Sequence, residues 1–191
     1  MENLKILIII LFTLAIYSVV FSQEGSILFD RISIDQGLSQ STVNAILHDS
    51  VGYVWFGTQD GLNRYDGYNF TVYRHDVQDS TSISDNWIWC LFEDRRRNLW
   101  IGTYSGGLNY FDRNKEEFFH YKHNPKNSNS IASNNVTCIA TGKNDFVWIG
   151  TWGGGLSCLD YQNKKFTHYK YDSTNSKSIS SNHVRCALFD R

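Results

Sequence analysis

The run Val147-Trp148-Ile149-Gly150-Thr151 occurs twice more in this chain, as Leu99-Trp100-Ile101-Gly102-Thr103 and as Val54-Trp55-Phe56-Gly57-Thr58. Taken alone, an apolar-Trp-apolar-Gly-Thr run indicates a short strand ended by a turn. Its recurrence constrains much more, because self-similarity at a fixed period marks a repeat architecture. Trp55 and Trp100 are 45 residues apart, and Trp100 and Trp148 are 48. Aligned on the tryptophan, the units run over 38–82, 83–130 and 131–178, and a fourth begins at Ile179 and reaches Arg191. The difference in period falls in turns, such as the extra glycine of Gly106-Gly107-Leu108 relative to Gly61-Leu62. Hairpin-linked strands predict this placement.

Each unit carries four strand signals, which in the second unit cover 87–93, 98–103, 108–112 and 117–122. Breakers separate them: an Asp-led turn, then Gly-Gly, then Arg113-Asn114-Lys115. Four short antiparallel strands per unit with a Trp-Gly core fit the blade of a β-propeller. The expected fold is therefore all-β, with three four-stranded blades and a fragment of a fourth in an incomplete ring. Propellers close with about four to eight blades, so the chain reads as the N-terminal fragment of a larger protein, with a ring closed from several short chains as the rival. Residues 23–37 are expected to contribute an N-terminal strand over 27–34, which would complete a terminal blade.

The run Asp49-Ser50-Val51-Gly52-Tyr53-Val54-Trp55-Phe56-Gly57-Thr58, followed by Gly61-Leu62-Asn63-Arg64-Tyr65-Asp66, resembles the two-component regulator propeller repeat. Phe29-Asp30-Arg31-Ile32-Ser33 and Gly37-Leu38-Ser39-Gln40 resemble the start of that family's sensors. The resemblance implies a periplasmic sensor propeller of a hybrid histidine kinase, responding to glycans or their breakdown products. It also implies downstream kinase domains of the same protein as partners, with homodimerisation left open. Two departures stand out. Arg97 and Asp145 replace Gly52 in the turn, which demands a different or costlier backbone path. Gly142 replaces Asp49 and Asp94, which removes a side-chain turn bond.

At the N-terminus, Lys5 precedes an apolar run over 6–20, and Val20-Phe21-Ser22 places small residues at −3 and −1. Residues 1–22 read as a secretory signal peptide cleaved before Gln23. The alternative is an uncleaved anchor, but a span needs about 20 apolar residues. The formal net charge of −1 lacks the basic excess of a nucleic-acid-binding face.

Repeats that keep a framework and vary one end place recognition at that end. The residue before the first strand's leading apolar position is Thr42, Trp87, Asn135 or His183, and the pair after Gly-Thr is Gln59-Asp60, Tyr104-Ser105 or Trp152-Gly153. Thr42, Gln59, Asp60, Trp87, Tyr104, Ser105, Asn135, Trp152 and His183 are thus the candidate ligand-binding residues. Aromatic faces beside polar groups suit an oligosaccharide, whose C–H faces stack while its hydroxyls take hydrogen bonds. The same aromatics could instead pack between blades. Trp55, Gly57, Trp100, Gly102, Trp148 and Gly150 recur in register and read as framework.

No catalytic set, metal site or cofactor is expected. His75 and His123 share one outer column, His120 and His168 another, and no spacing resembles a zinc site. Cys90, Cys138 and Cys186 share one column, which implies buried, reduced thiols rather than a disulfide framework. The leading function is a sensor for an oligosaccharide or other small periplasmic ligand. An exported lyase or glycosidase, or a protein-interaction propeller, is the alternative.

Overall fold

The computed structural model describes residues 28–142 and 146–189. The expected signal peptide at 1–22 lies outside them, as does Asp145. The chain divides into two compact units, Met1–Arg31 and Ile32–Arg191. Of the first, residues 28–31 are described and carry no regular structure.

The second unit is all-β. Blade 1 comprises β1 (Val43–His48), β2 (Val54–Thr58), β3 (Gly61–Tyr65) and β4 (Phe70–Tyr73). Blade 2 comprises β5 (Ile88–Glu93), β6 (Leu99–Thr103), β7 (Leu108–Asp112) and β8 (Glu117–Tyr121). Blade 3 comprises β9 (Val136–Thr141), β10 (Phe146–Thr151), β11 (Gly155–Asp160) and β12 (Lys165–Tyr169). Each is a separate antiparallel sheet ordered as its strands follow in sequence. Their first strands, β1, β5 and β9, stand next to one another. The result is an open propeller arc rather than a closed ring.

The Trp-x-Gly-Thr motif lies on the second strand of each blade, and its glycine sets the spacing to the next blade. A Cβ on Gly57 would meet Ile88 Cγ2 at 2.6 Å, on Gly102 Val136 Cγ1 at 2.6 Å, and on Gly150 Val184 Cγ1 at 2.8 Å. In each case a β-branched residue of the following unit fills the notch left by hydrogen. Behind Gly102 and Gly150 lie the sulfurs of Cys90 and Cys138, whose thiols burial pushes up and away from reactivity. The motif threonines, fully buried, close the next turn by donating to Gly61, Gly107 and Gly155 carbonyls at 2.8–2.9 Å.

Two apolar clusters fill the seams between blades. Trp55, Leu62, Ile83, Ile88, Leu99, Ile101, Phe111 and Phe118 pack between blades 1 and 2. Trp100, Leu108, Ile131, Val136, Ile149 and Leu159 are among those between blades 2 and 3. A recurring asparagine adds a polar tie. The side-chain oxygen of Asn86, Asn134 and Asn182 accepts from the backbone N–H of His75, His123 and Tyr171 at 2.7–2.8 Å. The same residues' carbonyls accept from Gly61, Gly107 and Gly155 of the preceding blade at 2.7–2.9 Å.

At the opposite end of blades 1 and 2, the tryptophan indole donates to a turn aspartate. Trp55 Nε1 lies 2.7 Å from Asp49 Oδ2, and Trp100 Nε1 lies 2.9 Å from Asp94 Oδ2. Asp49 Oδ1 also accepts from three successive backbone N–H groups, those of Val51, Gly52 and Tyr53. Arg113 reaches across from blade 2 to Asp49 at 2.7 Å and, within its own blade, pairs with Glu93 at 3.0 Å. In the second turn Arg97 takes a left-handed φ of 66° where Gly52 has 111°, the costlier path expected from its side chain. Its carbonyl is held by Arg113 Nε at 3.0 Å.

Three expectations are corrected. No strand forms over 28–34; Ile34–Gln36 is a 3-10 helix instead. Its capping box explains this, with Ser33 N donating to Gln36 Oε1 at 2.8 Å and Gly37 closing the turn at φ 109°. Residues 179–189 make no strand, only an isolated bridge between His183 and Trp152. Val184 fills the Gly150 notch as Ile88 and Val136 fill theirs, but β1, β5 and β9 each ladder with the second strand of their own blade, and no described strand takes that place here. Cys186, expected to be buried, is exposed because no described blade covers it; all four cysteines are free. Trp148, the third framework tryptophan, is only half-buried and stacks on Tyr169 at 5.5 Å.

Gly102→Ala should lower stability by about 1–3 kcal/mol through overpacking at the blade 2–3 seam, read as a lower urea midpoint; an unchanged midpoint would contradict the notch. Burial would raise the Asp49 pKa, but its bonds to Trp55, Arg113 and Tyr53 outweigh that and lower it. Its stabilisation is therefore complete above the unfolded value of about 3.9 and lost as pH falls below that, through the lowered folded value. Asp49→Asn should cost about 2 kcal/mol at neutral pH and flatten the acid limb of the denaturation profile.

Candidate functional site

The three inner strands share an irregularity at the same place. Val43 pairs with Thr58 and Ala45 with Gly57; Ile88 pairs with Thr103 and Cys90 with Gly102; Val136 pairs with Thr151 and Cys138 with Gly150. Asn44, Trp89 and Thr137 are the extra residues, each opposite no partner, which is a β-bulge. Arg185 holds the corresponding place in the fourth unit. Asn44 Nδ2 donates to the Ile88 carbonyl of the next blade at 2.9 Å, and Thr137 Oγ1 donates to the Val184 carbonyl.

A cavity of about 590 Å³ opens where these bulges meet the loops after the motif threonine. Trp89, Tyr104, Asn135, Thr137, Trp152 and Arg185 line it. Its aromatic members are exposed, Trp89 to 37% and Tyr104 and Trp152 to 44% each. Tyr104 is held at its back by Trp87, stacked at 4.7 Å and 22°, and Trp87 in turn touches Trp89 at 6.1 Å. Trp152 is flanked by the His183 ring, edge-on at 4.5 Å, and by the Arg185 guanidinium, 5.4 Å from its ring centre. Backbone bonds fix both loop aromatics: Tyr104 N–H donates to the Trp87 carbonyl and Trp152 N–H to the Asn135 carbonyl, both at 2.9 Å. Asn135 Oδ1 and Trp87 Nε1 are buried polar atoms with no hydrogen-bond partner.

The structure thus brings Tyr104, Asn135 and Trp152 to one cavity, with Trp87 and His183 supporting its aromatic walls. Ser105 sits beside it, bonded through N–H and hydroxyl to Asp85 at 2.8 Å. Thr42, Gln59 and Asp60, on blade 1, are not among the lining residues; the Asp60 carboxylate pairs with Arg74 at 2.9 Å. Sequence reading missed Trp89, Thr137 and Arg185. Their column, Asn44-Trp89-Thr137-Arg185, is as varied in chemistry as the columns that were chosen, and that variation was the available signal. Among the described residues, no group of three or more histidines, cysteines or carboxylates is arranged to hold a metal.

The family described as Two component regulator propeller matches residues 37–60, 82–105 and 130–153, one segment per blade. A curated relative, Histidine kinase P4 of Formosa agariphila, is 42% identical over 84 residues, which cover 44% of this chain and 6% of that protein. Among solved structures, the extracellular domain of BT3049 from B. thetaiotaomicron, assigned to a hybrid two-component system, superposes with a TM-score of 0.74 at 31% identity. The match covers 82% of this chain and 22% of that one. PorZ, a surface component of the type-IX secretion system of Porphyromonas gingivalis, shares the fold at a TM-score of 0.61 and 16% identity, covering 85% of this chain and 25% of its own. The chain therefore spans a small part of the length of the relatives it matches. Among the described residues no helix is long and apolar enough to cross a membrane.

The exposures predict a sharp split in acrylamide quenching. Trp152→Phe should remove a strongly quenched part of the emission, while Trp100→Phe, at a fully buried site, should leave the quenchable part intact. Equal losses from the two substitutions would contradict the geometry.

Proposed function

Since this chain is built from the two component regulator propeller repeat, we propose that it forms part of an exported, periplasmic propeller that senses an oligosaccharide for a hybrid histidine kinase. The observation that carries the reading is the cleft itself. Trp89, Tyr104 and Trp152 present aromatic faces, and Asn135 and Arg185 add an amide and a guanidinium to the same cavity. Sugar rings offer apolar C–H faces to such walls and hydroxyls to such polar groups, and an amphipathic pocket with few fixed polar atoms is the ordinary form of a small-ligand site. The likeness to an extracellular domain assigned to a hybrid two-component system supports placing the cleft outside the cytoplasm.

A lyase or glycosidase would need a proton donor and acceptor at the bound sugar. None of the six lining residues carries a carboxyl or imidazole group, which weighs against that alternative. Transmission needs no new chemistry. The cleft takes residues from blade 2 (Trp89, Tyr104) and blade 3 (Asn135, Thr137, Trp152), so a ligand touching both favours one arrangement of the seam by its differential affinity. Downstream kinase domains of the same protein would read that shift.

Titration of the full chain with a panel of oligosaccharides, followed by calorimetry and by product analysis, tests the proposal. Binding without turnover is expected, and Trp152→Ala should weaken it about tenfold with the circular dichroism unchanged. Turnover of a bound sugar would overturn the sensor reading in favour of an enzyme. Failure of every sugar to bind would overturn the choice of ligand.

A further inference from the structure

We infer that the cleft is built for an anionic sugar, one carrying a uronate carboxylate or a sulfate ester, and that Arg185 is its anion-binding residue. The inference deepens the sensor reading and rests on it. Arg185 supplies the single formal charge among the six lining residues. Its guanidinium lies over the Trp152 ring at 5.4 Å, and among the described residues this ring contact is its sole side-chain interaction. No described carboxylate pairs with it. Asp85, beside the Tyr104 wall, spends its carboxylate on Ser105 N–H and hydroxyl and on Trp87 N–H.

The position of Arg185 in the repeat sharpens the point. In the bulge column, Asn44 and Thr137 spend their polar groups on the next blade's Ile88 and Val184 carbonyls. Trp89 and Arg185 are the members not used this way, and both face the cavity. A guanidinium stacked on an indole is held in one plane, with its N–H edge free for bidentate contact to a carboxylate or sulfate. The aromatic faces of Trp152 and Tyr104 then take the ring while the arginine takes the charge.

The test uses matched probes on the full chain: oligogalacturonides against their methyl esters, and sulfated galactan oligosaccharides against their desulfated forms. At least one anionic member should bind about tenfold or more tighter than its neutral match, and whichever pair shows the difference identifies the anion. Arg185→Gln should abolish that preference, and raising salt should weaken the anionic member alone. Neutral forms binding as tightly as their anionic matches, or an unchanged preference in Arg185→Gln, would overturn this inference while leaving the sugar-sensing reading intact. Binding by no member of either pair would overturn this inference, and the sugar-sensing reading would fall with it only if the wider oligosaccharide panel also failed to bind.

Discussion

Everything else in this arc depends on three absent methyl groups. Gly57, Gly102 and Gly150 stand where the following unit's Ile88, Val136 and Val184 must come within van der Waals reach of a neighbouring blade's backbone. Hydrogen is the only side chain that fits, and the β-branched residue that enters the notch is stiff about χ1 and fills it in one way. Once the first strands are this close, the seam tryptophans have a floor to pack on. Trp55 and Trp100 then lose all solvent contact, and burial of such side chains contributes on the order of 2–3 kcal/mol each. The asparagine ties from Asn86, Asn134 and Asn182 fall into register as a consequence. Polar bonds of this kind add modest net stability but fix geometry, because leaving them unmade in a seam is expensive.

The far end of the same tryptophans shows how one framework tolerates different solutions. In the first seam, Asp49 caps the turn, accepts from the Trp55 indole and receives Arg113, whose guanidinium also lies 5.9 Å from the Trp55 ring centre. In the second, Asp94 keeps the indole bond, but the place of Arg113 is taken by Tyr161, which meets Trp100 edge-on at 5.5 Å. In the third unit Gly142 stands in for the aspartate, and the Phe189 ring occupies the space that a Cβ would need, at 2.8 Å. Charge, edge-on aromatic and apolar contact thus serve the same corner in turn. A residue that looks like a defect when one unit is compared with another is matched by its partner across the seam.

The framework was legible because it repeats. A Trp-x-Gly-Thr run at a near-constant period, with length changes confined to turns, specifies strands, blade and order together, and the strand limits of the second blade fell within a residue of those expected. The ends were less legible for local reasons. Ser33 and Gln36 form a capping box that competes with a strand, and the stretch around Val184 has no described second strand of its own blade to ladder with. Half the cleft was hidden by a different effect. Strict alternation assigns the residue after Val43, Ile88 or Val136 to the opposite face from its neighbours, but a bulge inserts one residue and re-aims it. Trp89 and Thr137 reach the cavity for that reason, and no period-two reading would place them there.

That bulge also explains why recognition chemistry can vary so freely beside so rigid a core. Trp89 and Thr137 are each bracketed by two positions that cannot move: Ile88 or Val136, locked in a glycine notch, and Cys90 or Cys138, facing the motif glycine of its own blade. The backbone on either side is pinned, so the extra residue needs no packing of its own to hold its direction. Asparagine and threonine there tie the seam through the next blade's carbonyl, whereas tryptophan and arginine at the equivalent places leave that bond unmade and turn to the cavity. Backbone bonds also hold the loop aromatics, since Tyr104 and Trp152 are fixed through their N–H groups as well as by the ring contacts of Trp87 and His183. Rigidity at the glycine and freedom at the bulge are two results of one close approach. The separation is spatial as well as energetic, because the indole corners that stabilise the seam lie at the end of the blades opposite the cleft. A change of ligand chemistry can therefore be made at Trp89, Tyr104 and Arg185, whose side chains make none of the seam's hydrogen bonds among the described residues.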